Sequence, residues 1–148
     1  MLTRVLLTLL LVAFVPNWAV ADDMAAEGAR ETSIVSLGLA DRKVSKDDLK
    51  KRVALPKPRF NSPGVAYGWV AHAKKGDKIE VHLKIDGNSL MHNVREVTED
   101  DTDVLLQAGK TGVPAGGWPQ KRQYTAKVTV TRDGKTVAEQ ESDPVSIE

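Results

Sequence analysis

The chain predicts an all-β protein: an antiparallel two-sheet sandwich of about seven short strands, preceded by a cleaved signal peptide. Three observations carry this. The first is strict alternation in two stretches. Ile79, Val81, Leu83 and Ile85 are set against Lys78, Glu80, His82, Lys84 and Asp86, and Tyr124, Ala126, Val128 and Val130 against Thr125, Lys127, Thr129 and Thr131. A period of two is a strand with one face in a core and one in water. The second is punctuation. Turn residues recur at Asn61-Ser62-Pro63-Gly64, Gly76-Asp77, Gly87-Asn88 and Asp133-Gly134, at spacings suited to short antiparallel strands. The third is the opening: Arg4, an apolar run over residues 5–15, a break at Pro16-Asn17, then Ala19-Val20-Ala21 before two aspartates. That is the layout of a secretory signal cleaved after Ala21, and its apolar run is shorter than the ~20 residues that span a bilayer.

The elements follow in order. Residues 22–32 are small and polar and read as a flexible leader. Residues 33–40, SIVSLGLA, are the first strand, and residues 33–148 form one domain. Ser45-Lys46-Asp47-Asp48 is a helix start with acids in the first turn, enough for one short turn through Leu49. Pro56 and Pro58 extend the chain into Phe60. Residues 65–73 make a strand with Val65, Tyr67, Trp69, Ala71 and Ala73 on one face. Residues 90–97 form a weaker strand, residues 98–102 an acidic loop, and residues 103–107 a short strand. Residues 109–117 are a Gly/Pro-rich connection. Asp133-Gly134 is the favoured pair for a two-residue hairpin, residues 136–141 pair back, and Pro144 marks an edge or bulge before Val145 and Ile147.

Composition excludes several classes. Without cysteine there is neither a disulfide nor a lipid-modified cysteine at the cleavage site, so stability rests on apolar packing. Removal of the signal takes one basic residue, Arg4, and leaves equal numbers of acidic and basic side chains. Such a balance concentrates neither nucleic acid nor an anionic membrane, and no stable membrane insertion is expected after cleavage. No Gly-x-Ser-x-Gly or His-Glu-x-x-His motif occurs, and the carboxylates fall on outward strand faces or loops, where ordinary titration is expected. The expectation is a protein that is not an enzyme and has no cofactor.

Tyr124-Thr125-Ala126-Lys127-Val128 resembles the late strand of immunoglobulin-like domains, with Ala126 where that family usually has a cysteine. With Gly76-Asp77 before a strand, Gly117-Trp118-Pro119 before the tyrosine strand and Asp133-Gly134-Lys135, residues 60–148 are similar to immunoglobulin-like or fibronectin-like domains of bacterial exported proteins. The resemblance implies a tyrosine corner, in which the Tyr124 hydroxyl ties back to backbone just upstream while its ring fills the core. It implies no chemistry.

The candidate sites are few. His72 and His82 are placed on an outer sheet surface with Glu80, the basis of a metal or small-molecule carrier as the alternative function; His92 lies on the weak strand. Scattered surface histidines are the plainer reading, and no metal ligand is assigned. Glu99, Asp100, Asp101 and Asp103 suit calcium in residue type, but no glycine or closing glutamate completes a binding loop. Trp118 is either a partner anchor or a plug over the end of the sandwich, and a core with so few aromatics favours the plug. The leading expectation is a periplasmic or secreted binding module that meets another envelope or secreted protein through loops or a sheet edge. Trp118, His72 and His82 are its candidate contacts.

Overall fold

The computed structural model describes residues 30–148. The expected signal peptide and most of the expected leader lie outside the described residues. Among the described residues, eight strands and one short helix are present, and the strands build two antiparallel sheets. β1 (Ser33–Ala40), β2 (Gly64–Ala73) and β5 (Thr102–Lys110) form one, in the order β1-β2-β5. β3 (Lys78–Ile85), β4 (Asn88–Glu96), β6 (Gln123–Arg132) and β7 (Lys135–Glu141) form the other, in the order β4-β3-β6-β7, with β8 (Val145–Ser146) also on β6. Hairpins β3–β4 and β6–β7 stay within the second sheet, while the β2–β3, β4–β5 and β5–β6 connections cross between sheets.

The two alternating stretches lie as their periodicity requires. Ile79, Val81 and Leu83 of β3 face Val130, Val128 and Ala126 of β6 in register, and all six are buried. Asp133 and Gly134 both take positive φ, 53° and 79°, which is the backbone of the tight hairpin expected there. Ser142 accepts a bond from the Ala126 amide through its Oγ, and its own amide donates to the Ala126 carbonyl. That knot separates β7 from β8, so the last edge strand is broken at Pro144.

The face assignment of β2 is corrected. The row turned toward the second sheet is Ala66, Gly68 and Val70, not Val65, Tyr67 and Trp69. The inner row is small because β6 lies close above it: a Cβ on Gly68 would stand 2.4 Å from a Val128 methyl. A bulge between Val70 and Ala73, with His72 at φ 57°, then turns Ala73 inward. The opposite face of β2 is covered rather than wet. Val65 and Tyr67 pack with Ala40 and Val44, and with Leu49, Leu55 and Leu105 around them. The segment between β1 and β2 supplies that cover, anchored by helix α1 (Lys46–Lys50). Ser45 caps α1 by accepting from the Asp48 amide, and the Asp48 carboxylate in turn accepts from the Ser45 amide. Gln107 holds the cover in place, accepting from the Val44 amide at 2.6 Å and donating to its carbonyl at 2.8 Å.

β5 is also longer than expected, because Gly109 belongs to it. A Cβ there would come within 2.2 Å of the Gly64 carbonyl oxygen, so β5 and β2 can pair at this point only through glycine.

Candidate functional site

The two long sides of the sandwich differ. On one side β4 and β5 close together, and Asn93 Nδ2 donates to the Gln107 carbonyl at 3.0 Å across the sheets. On the other, the edge strands β1 and β7 leave a groove of about 440 Å³. Leu37, Gly38 and the buried Leu39 lie along its β1 wall, residues 140–145 form the opposite wall, and Lys57 also lines it. On the same two strands, outside the groove lining, Val35 of β1 and Val137 of β7 are half exposed, at 51% and 42%. Val35 is the bulged residue of β1: the register steps from Ile34↔Val70 to Ser36↔Trp69, which leaves Val35 without a partner position on β2. The bulge also lets Ile34 and Leu37, three residues apart, both pack on the core. Glu141 on the far wall is neutralised by Lys84 at 2.6 Å, so Asp143 is the acid remaining on that wall.

Trp118, a candidate contact, is a core residue, 3% exposed. Its Nε1 donates to the Ser62 carbonyl at 2.8 Å, and its ring meets Tyr124 edge-on at 6.2 Å. The plug expectation describes it and the surface-anchor expectation does not, because burial against Ser62 and Tyr124 leaves no ring surface for a partner. Tyr124 is buried too, and its hydroxyl donates to the Pro119 carbonyl at 2.5 Å, the upstream tie that the tyrosine corner requires. Burial raises the pKa of that hydroxyl, keeping it a donor.

His72 and His82 do not share a surface, because β2 and β3 belong to different sheets. His72 sits at the β2 bulge, its Nδ1 2.5 Å from Asp101 Oδ1 and its amide donating to Asp103 Oδ1. Asp100 accepts from the Lys75 amide at 2.9 Å. The acidic loop thus uses its carboxylates to hold the β2–β3 turn. His82 lies on the outer face of the second sheet, directly across from His92 of β4. Their rings stack at 5.4 Å with 22° between planes. Among the described residues, no group of three or more histidine, aspartate or glutamate side chains stands in an arrangement that holds a metal ion. Also among these residues, no helix is long and apolar enough to cross a membrane.

The group that sequence reasoning missed is Asp77. The Gly76-Asp77 pair reads as a turn with a solvated carboxylate, yet Asp77 is fully buried. Arg132 grips it in a fork, Nε to Oδ1 at 2.7 Å and Nη2 to Oδ2 at 2.8 Å, and the Lys74 amide donates to Oδ2 at 2.8 Å. The Arg132 hydrogen bond is the main reason the Asp77 carboxyl titrates below its ordinary range. Arg132 also donates to Thr32 Oγ1, and Thr32 donates to the His72 carbonyl, so the end of the expected flexible leader is tied down at Thr32. Asp86 departs from ordinary titration as well: the Gln123 amide, then Arg122, lower its pKa.

No protein-family model matches this chain, and a search of curated proteins returns no match.

Proposed function

We propose that the protein is a non-enzymatic, exported immunoglobulin-like or fibronectin-like module that binds an extended segment of another envelope or secreted protein along its β1–β7 side. The strand order, β1-β2-β5 against β4-β3-β6-β7, and the tied tyrosine at the start of the sixth strand support the immunoglobulin-like reading. The observation that carries the binding reading is the asymmetry of the two long sides: one is bridged by Asn93 to the Gln107 carbonyl, while the other carries a groove between β1 and residues 140–145. An added strand hydrogen-bonds to an edge through its backbone and is selected by alternate side chains. The groove lining is largely polar, so such a segment would meet Lys57 and Gln140 through polar side chains and Asp143 through a basic one.

Affinity capture from the envelope of the producing cell tests this. Wild type should retain a partner that a Val35→Lys/Val137→Lys double variant loses, while a variant carrying Val94→Lys on the closed side keeps it. Equal recovery with all three would overturn the proposal.

A further inference from the structure

The histidine pair on the outer face of the second sheet does not take part in that binding reading, and its geometry suits a different ligand. We propose that His82, His92 and Glu80 form a surface site for a divalent transition-metal ion that favours imidazole, such as Zn2+ or Cu2+. Antiparallel pairing puts His82 and His92 directly opposite one another, and two strand positions in that relation hold their Cβ atoms about 5 Å apart. The rings are stacked, so one of them must turn before both imidazoles reach one ion.

Glu80 stands two residues before His82 on the same outward row, with Oε2 3.5 Å from His82 Nε2. That separation is too long for a hydrogen bond. It is close to the distance between neighbouring ligand atoms in a tetrahedral site, where bonds of 2.0–2.1 Å put them about 3.4 Å apart. The orientation of His82 is already set. Its Nδ1 lies 2.7 Å from Ser89 Oγ, and with Nδ1 donating to that hydroxyl the Nε2 lone pair faces Glu80. A hydrogen bond on the second ring nitrogen is how metal-binding histidines are usually fixed in tautomer and direction. His92, stacked alongside at 5.4 Å, is the ligand that must turn, and its exposed position leaves it room to do so.

The surroundings permit a cation. Glu80, His82 and Ser89, but not His92, line an open depression of about 310 Å³ that also includes Lys84 and Lys127. Those two ammonium groups are paired, Lys84 with Glu141 at 2.6 Å and Lys127 with Glu139 at 3.3 Å. Lys78, 3.5 Å from Glu80 Oε1, competes for the carboxylate. Imidazole and carboxylate together favour copper, nickel and zinc over magnesium and calcium.

The test is calorimetric titration of the tag-free protein with Zn2+ and with Cu2+. One equivalent should bind. His82→Ala and His92→Ala should each weaken binding at least ten-fold, Glu80→Gln several-fold, and His72→Ala not at all. Lys78→Met should tighten binding two- to three-fold by freeing Glu80. Cu2+ bound to wild type should show two coupled nitrogens in its paramagnetic resonance spectrum, and one in His92→Ala. His92 is exposed, so its variant keeps the fold, and unchanged circular dichroism verifies this. The site is refuted if no ion binds at 100-fold excess over protein. Undiminished affinity in His92→Ala, or a single coupled nitrogen in wild type, also refutes it.

Discussion

Replacing Asp77 by alanine removes the acceptor for both Arg132 nitrogens and for the Lys74 amide in one change. Truncating one partner of a buried ion pair costs about 3–5 kcal/mol, because the other is left without compensation. The Arg132 side chain is 31% exposed and can turn partly to water, which places the expected loss near the lower end, about 3 kcal/mol. A domain of this size shifts by roughly 4 °C per kcal/mol, so the thermal midpoint should fall by about 12 °C. Asp77→Asn keeps an acceptor oxygen and should lose less. The pH dependence gives an independent readout. Because Arg132 lowers the folded-state pKa of Asp77, the carboxylate contributes stability above the unfolded value of about 3.9. That contribution disappears as pH falls through the lower folded value. Urea denaturation between pH 2 and 7 should therefore show wild type losing stability more steeply than Asp77→Asn below about pH 4. An Asp77→Ala variant within 1 kcal/mol of wild type, or parallel acid limbs for wild type and Asp77→Asn, would refute the reasoning.

Three further outcomes follow from packing, each read by urea denaturation. Gly68→Ala should destabilise by about 1–3 kcal/mol, since its Cβ meets a Val128 methyl at 2.4 Å; a neutral result would mean that β2 and β6 are further apart than described. Tyr124→Phe removes the donor to the Pro119 carbonyl and should cost about 1–2 kcal/mol with no change of fold; no loss would show the tie to be energetically idle. Trp118→Ala should cost about 3–5 kcal/mol, whereas a surface anchor would leave stability unchanged.

Strands with one wet face were legible from the sequence and strands with two dry faces were not. β3 and β6 alternate because lysines, threonines and His82 lie on an outer face open to solvent, so periodicity alone orients them. β2 is apolar on both sides, and alternation there cannot say which row meets the second sheet. The larger row, Val65 and Tyr67, lies under Val44, Leu49 and Leu55, three apolar residues spread among charges without a helical or strand period. Gly109 reads as a turn residue but serves a close backbone approach, which only the β2–β5 register reveals. Asp77 and Arg132 are 55 positions apart, and His82 meets His92 only because a bulge at Leu90 shifts the register that the Asp86-Gly87 turn would set. Tyr124 and the Asp133-Gly134 turn were legible because each carries its structural reason within a few residues.

The central claim is that the β1–β7 side is the one a partner occupies. Site-specific photo-crosslinking tests it most directly, with a photoreactive side chain placed in turn at Val35, Val137 and Val94, all exposed by at least 40%. Crosslinks from positions 35 and 137 to the same short segment of one partner, with none from position 94, are the predicted result. Crosslinks from position 94 alone, or to unrelated proteins from each position, would contradict it.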